Sequence, residues 1–258
     1  MTVRYEVGDG VATITLASPE TRNVLTPATM AALVEHLAAA AADEAVRAVV
    51  LTGEGNTFCA GADLASAASA DASSFTEAGP GALVRVLEAV LDLPKPVIAR
   101  VQGHVAGGGN GLVASADLAV AAESARFAFS EVRVGVAPAV ISVVCLAKLH
   151  PAAARELLLT GERVSAQRVL DAGMINAVVP DDALDAGVQG YVDALRLAGP
   201  EAVASTKELL RRVPALPSDD AFAWTAELSA SLFSSAEARE GMTAFLERRR
   251  PGWAPPES

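Results

Sequence analysis

The run Gly103-His104-Val105-Ala106-Gly107-Gly108-Gly109-Asn110-Gly111 decides how the rest of this chain is read. Ahead of it, Pro96 introduces Val97 to Val101, a short apolar run that reads as a buried strand. Behind it, Asn110 to Ala116 reads as a short apolar helix. A glycine-rich link between strand and helix is a unit of α/β architecture. It also leaves a bend where a backbone N–H can approach a ligand with no Cβ in the way. Thr57-Phe58-Cys59-Ala60-Gly61-Ala62-Asp63-Leu64 has the same character. Neither stretch carries a side chain able to do strong chemistry alone. Together they point to main-chain stabilisation of an oxyanion, with one donor near Ala60 and one in the glycine loop, helped by the positive end of the following helix. The competing reading makes both stretches tight turns and nothing more.

The alternation extends both ways. Asp9-Gly10 marks a turn before a strand at Val11 to Leu16, and Thr26 and Pro27 are placed as N-cap and first residue of a helix to Ala42. Val46 to Leu51 reads as a buried strand and Gly81 to Leu91 as a helix. Two more strands are expected at Asp117 to Ala122 and Arg126 to Phe129, then a helix over Val140 to Leu149. A helix over Ser165 to Ala172 stops at Gly173, before a last strand at Ile175 to Val179. Beyond Pro180 the pattern is helical alone: Asp182 to Leu197, Glu201 to Val213, Asp219 to Phe233 and Ala236 to Arg248. Pro200 suits a first helical position and Ser234-Ser235-Ala236-Glu237 a capping box. The expectation is an α/β body with buried strands over 1–195 and a helical region over 196–258, with no separating linker and no repeat of fixed period. Ser66 to Gly79, rich in Ala, Ser and Gly, reads as a mobile loop beside the site.

The chain has 258 residues, 52% of them hydrophobic and 20% charged, which suits one well-packed body. Its net charge of -11 argues against a nucleic-acid partner, because phosphate neutralisation needs basic surface. A small anionic ligand stays open. Two cysteines, Cys59 and Cys145, make no disulfide scaffold and suit a reducing, cytoplasmic setting. No signal peptide and no membrane span are expected.

Several chemistries fail on spacing. Gly53-Glu54-Gly55 and Gly107-Gly108-Gly109 would need glycine at 58 and 112 for a dinucleotide fingerprint, where Phe58 and Leu112 stand. No phosphate-loop Gly-Lys-Ser/Thr, no Gly-x-Ser-x-Gly elbow and no metal-ligand cluster occurs. Cys59 is either a nucleophile or, as no histidine adjoins it, a small buried hydrophobe. His36 and His150 read as surface residues, and His104 either touches the substrate or is a packed loop residue. Glu131, in Phe127-Ala128-Phe129-Ser130-Glu131-Val132-Arg133, follows an apolar strand. Desolvation there suits a proton carrier, and pairing with Arg133 is the alternative. Asp63 and Asp117 read as structural anchors, and Glu237 to Arg250 as a solvated face whose arginines could meet a phosphate.

These motifs resemble the crotonase, or enoyl-CoA hydratase/isomerase, superfamily. The resemblance runs through Arg22-Asn23-Val24-Leu25-Thr26, Thr52-Gly53-Glu54-Gly55, Phe58 to Leu64, Gly103 to Gly111, Phe129-Ser130-Glu131 and Glu240 to Arg249, in order and over essentially the whole chain. It implies a spiral of ββα units with a C-terminal helical trimerisation region, a homotrimer or hexamer, and an acyl-CoA thioester as substrate. It implies no metal and no cofactor beyond the coenzyme A of the substrate. The oxyanion donors would be the N–H groups of Ala60 and Gly108. Gly61, Ala62, Asp63, Leu64, Gly107 and Gly111 would border the acyl-CoA, with Val24 and Leu25 near its nucleotide half. The loop Ala65 to Pro80 would set acyl preference. Glu131 matches the second glutamate of two-glutamate hydratases, while the first falls at Gly111. The resemblance therefore implies a hydratase of 2-enoyl-CoA, with a single-glutamate Δ3-Δ2 isomerase or a non-catalytic CoA-binding scaffold as alternatives. The run Ser130 to Ser142 also resembles a branch acting on branched or carboxylated acyl-CoAs.

Overall fold

A computed structural model describes residues 2–63 and 79–255 of the chain. The chain opens with a hairpin of β1 (Val3–Gly8) and β2 (Val11–Leu16). Its turn places Asp9 and Gly10 at φ 50° and 76°, the left-handed pair that a two-residue hairpin needs. Helix α1 (Pro27–Ala42) starts as the sequence predicts, with Thr26 Oγ1 accepting the Thr29 N–H at 3.1 Å.

Three ββα turns follow. The first joins β3 (Ala48–Gly53), β4 (Thr57–Cys59) and α2 (Pro80–Asp92). The second joins β5 (Val97–Val101), β6 (His104–Ala106) and α3 (Gly108–Ser115). The third joins β7 (Leu118–Ala122), β8 (Arg126–Ala128) and α4 (Ala139–Cys145). In each turn the first strand enters a six-stranded sheet ordered β1-β2-β3-β5-β7-β10. The second enters a four-stranded sheet ordered β4-β6-β8-β9. Helix α5 (Pro151–Thr160), β9 (Arg163–Ser165), α6 (Ala166–Asp171) and β10 (Ala177–Val179) complete the body. The sequence reading had no helix at α5 and no strand at β1, β4, β6 or β9.

The central strands β3, β5 and β7 are buried on both faces, which explains why they read as largely apolar runs. Val49, Leu51 and Ala99 pack toward α1 to α3, while Val50, Ile98 and Val120 meet Leu184, Val188 and Val192 of α7 (Leu184–Leu197). Helices α8 (Pro200–Arg212), α9 (Ser218–Phe233) and α10 (Ala236–Glu247) bury a single residue, Ala244. Polar clasps tie this region to the body. Lys207 Nζ donates to Val90 O at 2.9 Å and pairs with Asp117 at 2.8 Å, and Arg47 donates to Ala198 O at 2.7 Å. The capping box takes another form: Ser235 is the N-cap of α10, and Glu237 instead accepts the Glu201 and Ala202 N–H groups, both at 2.9 Å, at the start of α8. Among the described residues no helix is long and apolar enough to cross a membrane.

Candidate active site

The two loops singled out by sequence meet backbone to backbone. Gly61 and Gly107 take φ values of 85° and 50°, conformations that suit glycine. A Cβ on Gly61 would stand 2.8 Å from Ala106 O and 3.1 Å from Gly108 N. Only bare backbone fits at this contact. Helix α3 begins at Gly108, earlier than expected, because the site demands glycines that helix propensity disfavours. Its first N–H therefore points out of the helix without an intrahelical acceptor.

The expected donor at Ala60 is corrected. Its N–H is committed to Arg22 O at 3.0 Å, and the Gly61 N–H lies 3.4 Å from Cys59 Sγ. Among the described residues no acceptor takes the Ala62 N–H. Ala62 is held beside Leu25 by a parallel bridge in which Leu25 N–H donates to Gly61 O at 2.8 Å. The open donors at the junction are thus those of Ala62 and Gly108. Spacing alone could not separate Ala60 from Ala62, since the difference lies in which carbonyl reaches back from Arg22.

Glu131 sits on the 3-10 turn Ser130–Val134 just after β8. A Cβ on Gly107 would stand 3.6 Å from its Oε1 and 3.7 Å from the Gly61 Cα, so the carboxyl group lies against the same junction. Its other oxygen, Oε2, is buried with no hydrogen-bond partner among the described residues. Burial pushes the Glu131 carboxyl above the ordinary glutamate range, against a smaller opposing backbone hydrogen bond. Arg133 does not pair with it: Arg133 Nε donates to Thr160 O at 3.0 Å.

Gly111 is buried one turn further along α3, and a Cβ there would meet Ile141 Cγ2 at 2.6 Å and Leu87 Cδ2 at 3.5 Å. A Cβ on Gly108 would meet Leu25 Cδ1 at 2.9 Å and Leu83 Cδ2 at 3.4 Å. The wall beside Glu131 is therefore apolar, and the place of a side chain at 111 is taken by Ile141.

Across Ala60 and Ala106 lies a cavity of about 320 Å³ that also touches Arg22, Asn56, His104 and Arg163. No acid lines it. Burial lowers the His104 pKa, and the charges of Arg163, Arg22 and Arg126 lower it further. Such a field suits an anion.

The remaining expectations divide. Val24 and Asp63 are half-buried and Leu25 is buried beside the site, whereas Leu64 lies outside the described residues, as does the loop of 65–78. Cys59 is fully buried with its thiol pushed up to about 12, so it is the small hydrophobe and no nucleophile. Asp117 is structural, accepting the Val97 N–H at 2.7 Å. His150 is exposed, but His36 is half-buried and stacks on Tyr5 at 5.3 Å between ring centres.

A glycine-built pair of amides thus lies beside one desolvated carboxyl group. Comparison with known proteins shows the family. Residues 6–256 match the family model described as enoyl-CoA hydratase/isomerase, and the chain belongs to that family. An enoyl-CoA hydratase structure from Mycobacterium smegmatis superposes with a TM-score of 0.93 at 38% identity, covering 98% of this chain and 99% of that one. Pseudomonas aeruginosa AtuE gives 0.94 at 34%, over 99% and 100%. Carnitinyl-CoA dehydratase of Salmonella typhi is 36% identical over 217 residues, 82% of each chain. The fold is that of the crotonase superfamily, and the family acts on acyl-CoA thioesters.

Proposed function

We propose that the protein adds water to a 2-enoyl-CoA. The observation that carries this reading is Glu131 lying against the backbone junction of Gly61 and Gly107. With the thioester oxygen on the Ala62 and Gly108 N–H groups, negative charge collects there as water oxygen bonds C3. Glu131 takes a proton from that water and returns one to C2, which completes the hydration. Each donor is worth about 3–4 kcal/mol, as in other oxyanion holes. The cationic cavity at Arg22, His104 and Arg163 suits the phosphates of the coenzyme A moiety, and no further cofactor is required. Relatives named hydratase and dehydratase support the choice of reaction.

One observation favours a second reading. Ile141 and Leu87 fill the place of a second carboxylate at 111, so among the described residues one proton carrier flanks the junction. A single carboxyl group suffices for a Δ3-Δ2 isomerase, which lifts a proton from C2 and returns it at C4. Product analysis with 2-enoyl-CoA and 3-enoyl-CoA separates the two. Formation of 3-hydroxyacyl-CoA from the 2-enoyl ester is expected; reaction of the 3-enoyl ester alone would overturn the hydratase reading. Glu131→Gln should lose at least about 100-fold in turnover while still binding the ester.

We also propose a homotrimer or a hexamer of paired trimers. Leu210, Phe222, Phe233, Phe245 and Leu246 are each at least 70% exposed, far more apolar surface than a lone helical region tolerates.

A further inference from the structure

Glu131 rides on a short turn, and a short turn takes its position from what it rests on. Helix α5 is anchored in the core by Ala153, Ala154 and Leu157, and it ends at Thr160 and Gly161 beside the 3-10 turn Ser130–Val134. Gly161 stands at φ 60°, with its N–H donating to Leu157 O at 3.1 Å. A Cβ on Gly161 would lie 3.0 Å from Phe129 O, 3.0 Å from Val132 Cγ2 and 3.2 Å from Arg133 Cγ. These three residues bracket Glu131 in sequence. The bare Cα of Gly161 thus lies flush against both flanks of the segment that carries the carboxyl group. Thr160 O, left without an intrahelical donor at the end of α5, accepts the Arg133 Nε–H at 3.0 Å and ties the same turn down. The Arg133–Glu162 pair, at 3.9 Å and exposed, adds little.

We propose that Gly161 is a positioning residue: the end of α5 seats the Glu131 turn, and the bare Cα at 161 sets where the carboxyl group meets the junction of Gly61 and Gly107. This rests on Glu131 being the proton carrier, and it holds for hydration and isomerisation alike. A glycine after a helix can also be a simple stop, and Gly173 supplies the comparison. It follows α6 at φ 89°, and a Cβ there would lie 3.0 Å from Lys148 O, so alanine is strained by the same means. The residues it would press, Lys148 and His150, lie outside the Glu131 turn. A small displacement therefore matters at 161 and not at 173, because proton transfer falls steeply as the carrier is misplaced.

The test compares Gly161→Ala with Gly173→Ala. Both should melt lower than wild type. Only Gly161→Ala should lower kcat, about tenfold, with KM within about twofold. A measurement without substrate separates the seat from the assigned reaction. Infrared difference spectra of each protein against its own Glu131→Gln counterpart isolate the carboxyl band and give its titration midpoint. Burial raises that midpoint in wild type. Gly161→Ala should lower it by about half a pH unit, as the turn lifts and water reaches Oε2, while Gly173→Ala should leave it in place. A Gly161→Ala midpoint equal to wild type, or an equal shift in both variants, overturns the proposal. Where Gly161→Ala fails to fold, Arg133→Ala decides. Loss of the cation alone would raise the midpoint, so a fall reads the loosened turn and supports the seat, with Arg133→Lys restoring it. A rise or no change overturns the proposal. A fallen Gly161→Ala midpoint with neither reaction observed upholds the seat and instead faults the assigned function.

Discussion

At the scale of single residues, the site depends on what is missing from side chains as much as on what is present. Gly111→Ala would press a methyl group on Ile141 Cγ2, and overpacking of about 1–3 kcal/mol should outweigh the roughly 1 kcal/mol that alanine contributes to a helix. Combined with Ile141→Ala, the loss should be smaller than the sum of the single effects, as urea unfolding of all three variants would show. Additive losses would mean that Ile141 does not fill that space. Glu131 makes a pH-dependent contribution of definite sign. Its folded pKa is raised, so its favourable share is complete below the ordinary glutamate range and is lost as pH rises through the raised value. Glu131→Gln stays neutral throughout. Its melting temperature should therefore exceed that of wild type at neutral pH, with the gap closing in acid. A gap constant across pH would contradict a desolvated carboxylate. The thiols of Cys59 and Cys145 are both pushed up to about 12 by burial. Neither should react with iodoacetamide at pH 8 until the protein unfolds.

At the scale of elements, Lys207 shows how the helical region is fastened. Its ammonium group meets Asp117 and two carbonyls, those of Val90 and Lys95, at the junction of α8 with the body. Lys207→Met would leave Asp117 with the Val97 N–H and the more distant charge of Lys148. A loss of about 2–3 kcal/mol is expected for this partly buried pair, measurable as a lower urea midpoint. The long elements were legible in the sequence because their local signals agree with their burial. The Thr26-Pro27 start of α1, the Asp9-Gly10 turn and the Gly173 stop each reappear at the predicted residue. The elements that escaped are short and depend on distant partners. β4, β6 and β9 have three residues each and exist through pairing in the small sheet. Local sequence says little about three residues. The same limit explains the site. Glu131 carries its own signal, an acid after an apolar strand, and so does the glycine loop, whereas which glycine donates comes from the resemblance alone. The displacement of the open donor from Ala60 to Ala62 comes from a hydrogen bond to Arg22, 38 positions away by residue number, and no local pattern encodes it.

At the scale of the whole molecule, the ββα turns bring three consecutive loops to one edge, which is why residues 61, 107 and 131 meet. The helical region hides little of itself, and the proposed trimer would cover its exposed rings. Light scattering should give three or six times the monomer mass. Phe245→Glu with Leu246→Glu should release monomers, and a monomeric wild-type protein would refute the assembly.

The Arg22 to Leu25 segment holds the loop from Cys59 to Ala62 at two points, through Arg22 O and the Leu25 N–H. Arg22 and Asn23 both stand at positive φ, 59° and 55°, with Asn23 Oδ1 and Nδ2 stapling the bend to Ser18 and Thr57. Whatever grips this bend from outside also braces the amide of Ala62. The handle of a substrate would then tune its reacting end, so an ester shorn of its nucleotide should turn over more slowly even at saturation, instead of merely binding more weakly.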